Sequence, residues 1–119
     1  MKSKEKMEKI NENVAIQFVK GENEKDHPEV RLFRNLDGKK GKAVYTFYKP
    51  RTITIKNFKS IQKMYLVDCE GELTTKKIDL SISENNVSEV KSTYNWNTEH
   101  EFERFMRFAL RYSNSLSHN

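Results

Sequence analysis

The sequence predicts a single α+β domain: an antiparallel β-sheet with a C-terminal amphipathic helix packed on one face. Three observations point there. Short runs of β-branched and aromatic residues, set apart by glycine, proline, asparagine and aspartate, recur from Val14 to Tyr94. The apolar period then changes: Phe102, Phe105, Met106, Ala109 and Leu110 follow the i, i+3, i+4, i+7, i+8 spacing of a core-facing helix. A chain of 119 residues with seven Phe, five Tyr and one Trp has the length of one domain and the aromatic bulk to fill its core.

Residues 1–13 alternate Lys and Glu and read as a charged N-terminal extension, residues 14–112 as the domain, and residues 113–119 as a tail. The first strand lies within 14–19 and stops at Gly21, after which an acidic loop runs to Pro28. The second strand spans 30–34, with Val30, Leu32 and Arg34 sharing a face. Asp37-Gly38 and Gly41 make a hairpin connection into a third strand at 44–48, where Tyr45 and Phe47 face away from Val44, Thr46 and Tyr48. Residues 51–63 read as a loop holding one short strand, because Ile53 and Ile55 alternate. The apolar run 64–67 suits a central strand, and Asp68-Cys69-Glu70-Gly71 a tight turn with Gly71 in a left-handed conformation. Residues 73–82 and 87–94 read as a hairpin turning around Glu84-Asn85-Asn86. Thr98 stands three residues before Glu101, the capping-box spacing, and starts a helix over 98–112. Phe108 and Tyr112 widen its apolar stripe, while Arg104, Arg107 and Arg111 fall together on the other side as a solvated basic face.

The net charge of +5 is unevenly spread. Residues 38–67 carry eight basic side chains (Lys39, Lys40, Lys42, Lys49, Arg51, Lys56, Lys59, Lys63) and no acidic one. Such a segment attracts an anionic partner, whether nucleic acid, lipid headgroup or acidic protein. Tyr45, Phe47, Tyr48, Phe58 and Tyr65 are interleaved with it, which makes a single-stranded nucleic-acid module the alternative reading. No RNA-binding signature accompanies those aromatics.

Catalytic material is thin. Cys69 is the sole cysteine, which rules out an intrachain disulfide and favours a reducing compartment. His100-Glu101-Phe102-Glu103-Arg104 begins like a zinc-protease helix but has Arg104 where the second histidine must stand. Asp26, His27 and Glu29 offer at most a weak metal site in a solvated loop. Gly38 and Gly41 lack the lysine and helix of a phosphate loop. No apolar window reaches the length of a membrane span, and residues 1–13 carry neither a secretory h-region nor a transit-peptide composition. The expectation is a soluble protein without metal, cofactor or enzymatic activity.

Several blocks, in order, resemble one family. They are Ile16-Gln17-Phe18 with Gly21; Pro28-Glu29-Val30-Arg31-Leu32 with Arg34; and Gly38, Gly41 and Ala43 leading into the aromatic strand. Then come Met64-Tyr65-Leu66-Val67-Asp68 with Glu70-Gly71-Glu72, and Phe102-Glu103-Arg104-Phe105-Met106-Arg107-Phe108 with Arg111-Tyr112. This set is similar to the Psb-twenty-eight assembly factors of photosystem II. Phe102 stands where that family usually has tryptophan, Lys63 replaces a glycine, Cys69 an acidic residue, and Asn85-Asn86 the usual Asn-Gly.

The resemblance implies a non-enzymatic biogenesis factor on the cytosolic or stromal face of immature photosystem II. Its partners would be the core antenna and reaction-centre subunits, with the monomer associated peripherally with the thylakoid and with no nucleic acid or cofactor. A strand of the partner would add along the central hairpin, 64–77. Lys56, Lys59, Lys63 and Tyr65 are the expected contacts, with Glu70, Glu72, Thr74 and Lys76 beyond them; Arg104, Arg107 and Arg111 form a secondary basic surface. The Lys-, Asn- and Ile-rich composition leans toward a plastid genome over a cyanobacterial one.

Overall fold

Period-two alternation sorts the strands into two antiparallel sheets in the computed structural model, which describes residues 14–116. The smaller sheet joins β1 (Ala15–Gln17), β4 (Met64–Asp68) and β5 (Gly71–Thr75) in the order β1-β4-β5. The larger joins β2 (Glu29–Arg34), β3 (Gly41–Tyr48), β6 (Ile78–Ser83) and β7 (Asn86–Trp96) in the order β2-β3-β7-β6. The one α-helix among the described residues, α1 (Glu99–Leu116), rests on both sheets through β4 and β7. The α+β class holds, with two sheets in place of the one expected. The charged extension at residues 1–13 lies outside the described residues.

The predicted strand over 73–82 divides. Leu73 pairs with Leu66 in the small sheet, whereas Leu80 pairs with Val90 in the large one. The chain crosses between sheets at Lys76-Lys77, where Thr93 N–H donates to the Lys77 carbonyl (3.0 Å) and the Thr75 hydroxyl donates to the Thr93 carbonyl (2.6 Å). The sequence carries a trace of this handover, because the less exposed positions change parity from Leu73 and Thr75 to Ile78 and Leu80 across Lys76-Lys77. The short strand expected at Ile53–Ile55 does not form. Asn57 instead draws its backbone and side chain onto Thr52 and Thr54, and a 3₁₀ turn follows at Phe58–Ser60. Ile53 is buried by that loop, and Ile55 is exposed.

Between the layers lie Ile16, Ala43, Phe47, Met64, Leu66, Val90, Phe105 and Phe108, all with zero exposure. Tyr45 joins them, so the face that Tyr45 and Phe47 share is the inward one. Trp96 ends β7 and stacks on Phe105 (5.1 Å) and Phe102 (5.2 Å), while Tyr94 stacks on Phe105 (5.6 Å). This ladder of rings joins the large sheet to the helix. The capping box is present: Glu101 Oε1 accepts from the Asn97 and Thr98 amides (2.8 and 3.1 Å), and Thr98 Oγ1 accepts from the Glu101 amide (3.1 Å).

The helix is rotated from its expected setting. Its fully buried face is Phe105, Phe108 and Tyr112, while Leu110 is 60% exposed and Phe102, Met106 and Ala109 are only half-buried. At 3.6 residues per turn the difference is roughly a quarter turn. It continues beyond Tyr112 to Leu116, so the expected tail begins within the helix.

Gly41 sits opposite Trp96 in the β3–β7 pairing. A Cβ there would stand 2.4 Å from the Phe33 carbonyl and 2.5 Å from the indole, so backbone and ring exclude it together. Gly41→Ala is therefore expected to lower stability by about 1–3 kcal/mol in urea denaturation, with the helical signal retained up to the transition.

Candidate functional site

Strand alternation places Met64, Leu66 and Asp68 on the inward side of β4, so the last inward position of an apolar strand is a carboxylate. The Asp68 side chain has no exposed surface and accepts both ends of the Arg104 guanidinium, at 2.9 and 2.7 Å. Arg111 reaches the same carboxylate at 2.9 Å. Two residues on, Glu70 in the β4–β5 turn accepts from Arg107 at 2.7 and 2.9 Å and from Arg111 at 2.5 Å. The expected solvated basic face is thus a clasp: three arginines of α1 hold the two carboxylates of one turn.

The quarter-turn setting of the helix has a matching geometry. Arg104, Arg107 and Arg111 lie at i, i+3 and i+7 beside the buried face, and turning that face inward brings them onto the turn. Arg104 keeps 16% of its side-chain surface, Arg111 30% and Arg107 45%, so the pairing grades from buried to rim. The Arg107 and Arg111 hydrogen bonds hold the Glu70 carboxyl down to about 2. Gly71, at φ +122°, completes the turn in a conformation closed to most side chains.

The remaining expected contacts gather on the β4–β5 hairpin. Tyr65 pairs with Thr74 and Val67 with Glu72 on the outward face. Lys20 approaches both, its Nζ lying 5.7 Å from the centre of the Tyr65 ring and 3.7 Å from Glu72. Lys63 and Lys76 stand two residues beyond Tyr65 and Thr74 at the same end of the hairpin. Lys56 and Lys59 are exposed on the loop that leads there. Glu70, at the opposite end, is committed to the arginines. Among the described residues β5 pairs with β4 along one side and with no strand along the other, so an edge is open beside Tyr65 and Thr74. The sequence pointed to this hairpin but missed Asp68 as the arginines' partner. The signal was available in its parity with Met64 and Leu66, set against arginines at helical spacing.

The nucleic-acid alternative loses its platforms. Tyr45 and Phe47 are 2% and 0% exposed, and Phe58 and Tyr65 are half-buried, which leaves Tyr48 alone of the five broadly exposed, at 58%. Asp26 of the weak metal candidate is engaged by the Arg51 side chain at 3.1 Å. A second carboxyl is buried nearby. Glu24 accepts from the Thr52 hydroxyl, while its other oxygen has no partner, and burial raises its pKa above the usual carboxylate range. Burial also pushes the Tyr112 phenol up to about 12, helped by the Glu24 charge.

Two outcomes follow for the clasp. Asp68→Ala strands a largely buried Arg104 and is expected to cost about 3–5 kcal/mol in chemical denaturation, far more than Arg107→Ala at the rim. Glu70 binds fewer protons folded than unfolded between its ordinary value of 4.5 and about 2, so its stabilisation is full above that window and disappears as pH falls through it. The stability difference between the natural protein and Glu70→Gln should shrink over that range. Glu24, with its pKa raised, has the opposite slope: its burial costs most at neutral pH and is relieved by acid.

The family model described as "Psb28 protein" matches residues 16–118. The photosystem II reaction center Psb28 protein of Prochlorococcus marinus (strain NATL2A) is 80% identical over 113 residues, covering 95% of this chain and 100% of that relative. The protein of the same name from Prochlorococcus marinus (strain MIT 9211) is 44% identical over 85% of this chain and 86% of its own length. That from Synechococcus sp. (strain CC9902) is 41% identical over 85% of this chain and 77% of its own. The match spans every strand after β1 begins, the turn with its two carboxylates and the helix with its three arginines, and the chain belongs to the Psb28 family.

Proposed function

We propose that this protein is a non-enzymatic biogenesis factor that docks on immature photosystem II, contacting its core antenna and reaction-centre subunits at the thylakoid surface. Family membership carries the reading, since the matched relatives are named as photosystem II reaction center proteins. No described helix is long and apolar enough to cross a membrane, which suits peripheral attachment through surface contacts. The relatives named above are cyanobacterial, which favours the cytoplasmic side of a cyanobacterial thylakoid over the plastid that composition suggested.

The open β5 edge supplies a means of docking. A partner strand added there gains main-chain hydrogen bonds, with Tyr65, Glu72 and Thr74 reading its side chains. Lys56, Lys59, Lys63 and Lys76 raise the encounter rate with an acidic protein surface. Arg104, Arg107 and Arg111 act indirectly, by holding the turn that begins this edge.

A native pull-down of tagged protein from solubilised thylakoids tests the reading. Core antenna and reaction-centre subunits should be recovered without the oxygen-evolving extrinsic proteins. Recovery of ribosomal proteins or RNA, lost on nuclease treatment, would overturn it. Lys56→Glu/Lys59→Glu/Lys63→Glu should weaken docking at least roughly tenfold with an unchanged circular dichroism spectrum; equal recovery would remove the electrostatic contribution.

A further inference from the structure

We propose that the apex of the β2–β3 hairpin is a membrane-docking element, placing Leu36 into the interface of a bilayer while Lys39, Lys40 and Lys42 meet anionic lipid headgroups. This apex lies on the large sheet, and its assignment does not rest on the docking reading above. Every residue of β2 is exposed, Phe33 at 48%, and Leu36 at the apex is exposed in full. An apolar side chain with no protein contact is commonplace on a loose loop; this turn is closed by its own bonds.

The Asn35 amide donates to the Lys40 carbonyl (2.8 Å), and the Gly38 amide to the Asn35 carbonyl (2.9 Å). Asp37 Oδ1 accepts from the Lys39 amide at 2.9 Å, and Arg34 donates to the Gly38 carbonyl at 2.5 Å. Arg34 is itself anchored over the Phe102 ring, 3.9 Å from its centre. Asp37, the acid at the apex, is thereby folded back onto backbone, and Lys39, Lys40 and Lys42 are exposed.

Charge continues down the hairpin. Lys42 Nζ sits 5.4 Å from the centre of the Phe33 ring, and two adjoining depressions at the base are lined by Lys40, Lys42, Lys76 and Lys77, with Asp79 the one acid among their lining residues. None of Lys39, Lys40, Lys42, Lys76 and Lys77 forms an ion pair among the described residues. Lysines brought together in excess of acids and without ion pairs are complementary to an anionic surface. The convex apex decides between a bilayer and an acidic protein. A protruding leucine needs a pocket on a protein partner, whereas lipid headgroups part around it and place it against acyl chains. Flexible lysine stems then carry their charges back to the headgroup layer.

Flotation of the whole protein with vesicles tests this, using phosphatidylcholine alone and an equal mixture with phosphatidylglycerol, at low and high salt. The protein should float with the mixed vesicles at low salt and stay behind with the neutral ones. Leu36→Ser should weaken binding about tenfold, and Lys39→Glu/Lys40→Glu by about a hundredfold or more. These side chains make none of the turn's bonds, so the fold is kept. Leu36→Trp provides a second readout, its emission shifting to the blue and being quenched by brominated lipid. Lys56→Glu/Lys59→Glu/Lys63→Glu, which removes more charge, should float better than the hairpin variant. Equal flotation on both vesicles, unchanged binding of Leu36→Ser, or an equal loss in the loop variant would overturn the assignment. So would binding to polyglutamate without binding to vesicles, which would give the patch to an acidic protein.

Discussion

The pairing of Asp68 with Arg104 holds the two layers in register. A carboxylate without exposed surface at the end of β4 meets a guanidinium from the second turn of the helix. Such a pair is costly to bury, and its geometry, bidentate with a third charge from Arg111, offsets that cost. It also selects one rotation of the helix. With Arg104 docked, Phe105, Phe108 and Tyr112 face the core, and Phe105 comes beneath Trp96. A helix set by its apolar stripe alone would centre on Met106 and Ala109 and leave both carboxylates of the turn unpaired. Polar contacts therefore specify the packing that the aromatic rings then stabilise.

Most of the fold was legible because its cues are local. The Thr98–Glu101 capping box, the Asp37-Gly38 connection, the common face of Tyr45 and Phe47 and the Gly71 turn each depend on a few neighbouring residues. What escaped depends on distant partners. The run at 73–82 shifts the parity of its apolar positions at Lys76-Lys77, and its pairing, first with β4 and then with β7, is what turns that shift into a change of sheet. Ile53 and Ile55 alternate as a strand would, yet among the described residues no strand pairs with them, and Asn57 captures the backbone. The arginines looked solvated because the acids that hold them are 36 to 43 residues earlier in the chain.

The acid-free segment illustrates the same limit for function. Its eight basic residues are contiguous in sequence but are divided by the fold. Lys39, Lys40 and Lys42 join Lys76 and Lys77 around the β2–β3 hairpin; Arg51 is drawn to Asp26; Lys56 lies by the β6–β7 turn, beside Ser83 and Val87; and Lys63 directly precedes β4. One basic block is parted among several places on the surface. The resemblance to the Psb28 family located the hairpin as a place of interest, and the two-sheet topology supplied what residue patterns lack: an edge that pairs with no other strand among the described residues.

That edge is fastened at both ends. Gly71 follows a turn gripped by Arg107 and Arg111, and the chain leaving Thr75 is tied to Thr93 within two residues. The strand between them is thus held straight before any partner arrives. A segment adding beside it finds a rigid template, so the loss of conformational entropy on association falls on the incoming segment. The heat of binding then reports how ordered that segment was beforehand, and much less how far this protein rearranges.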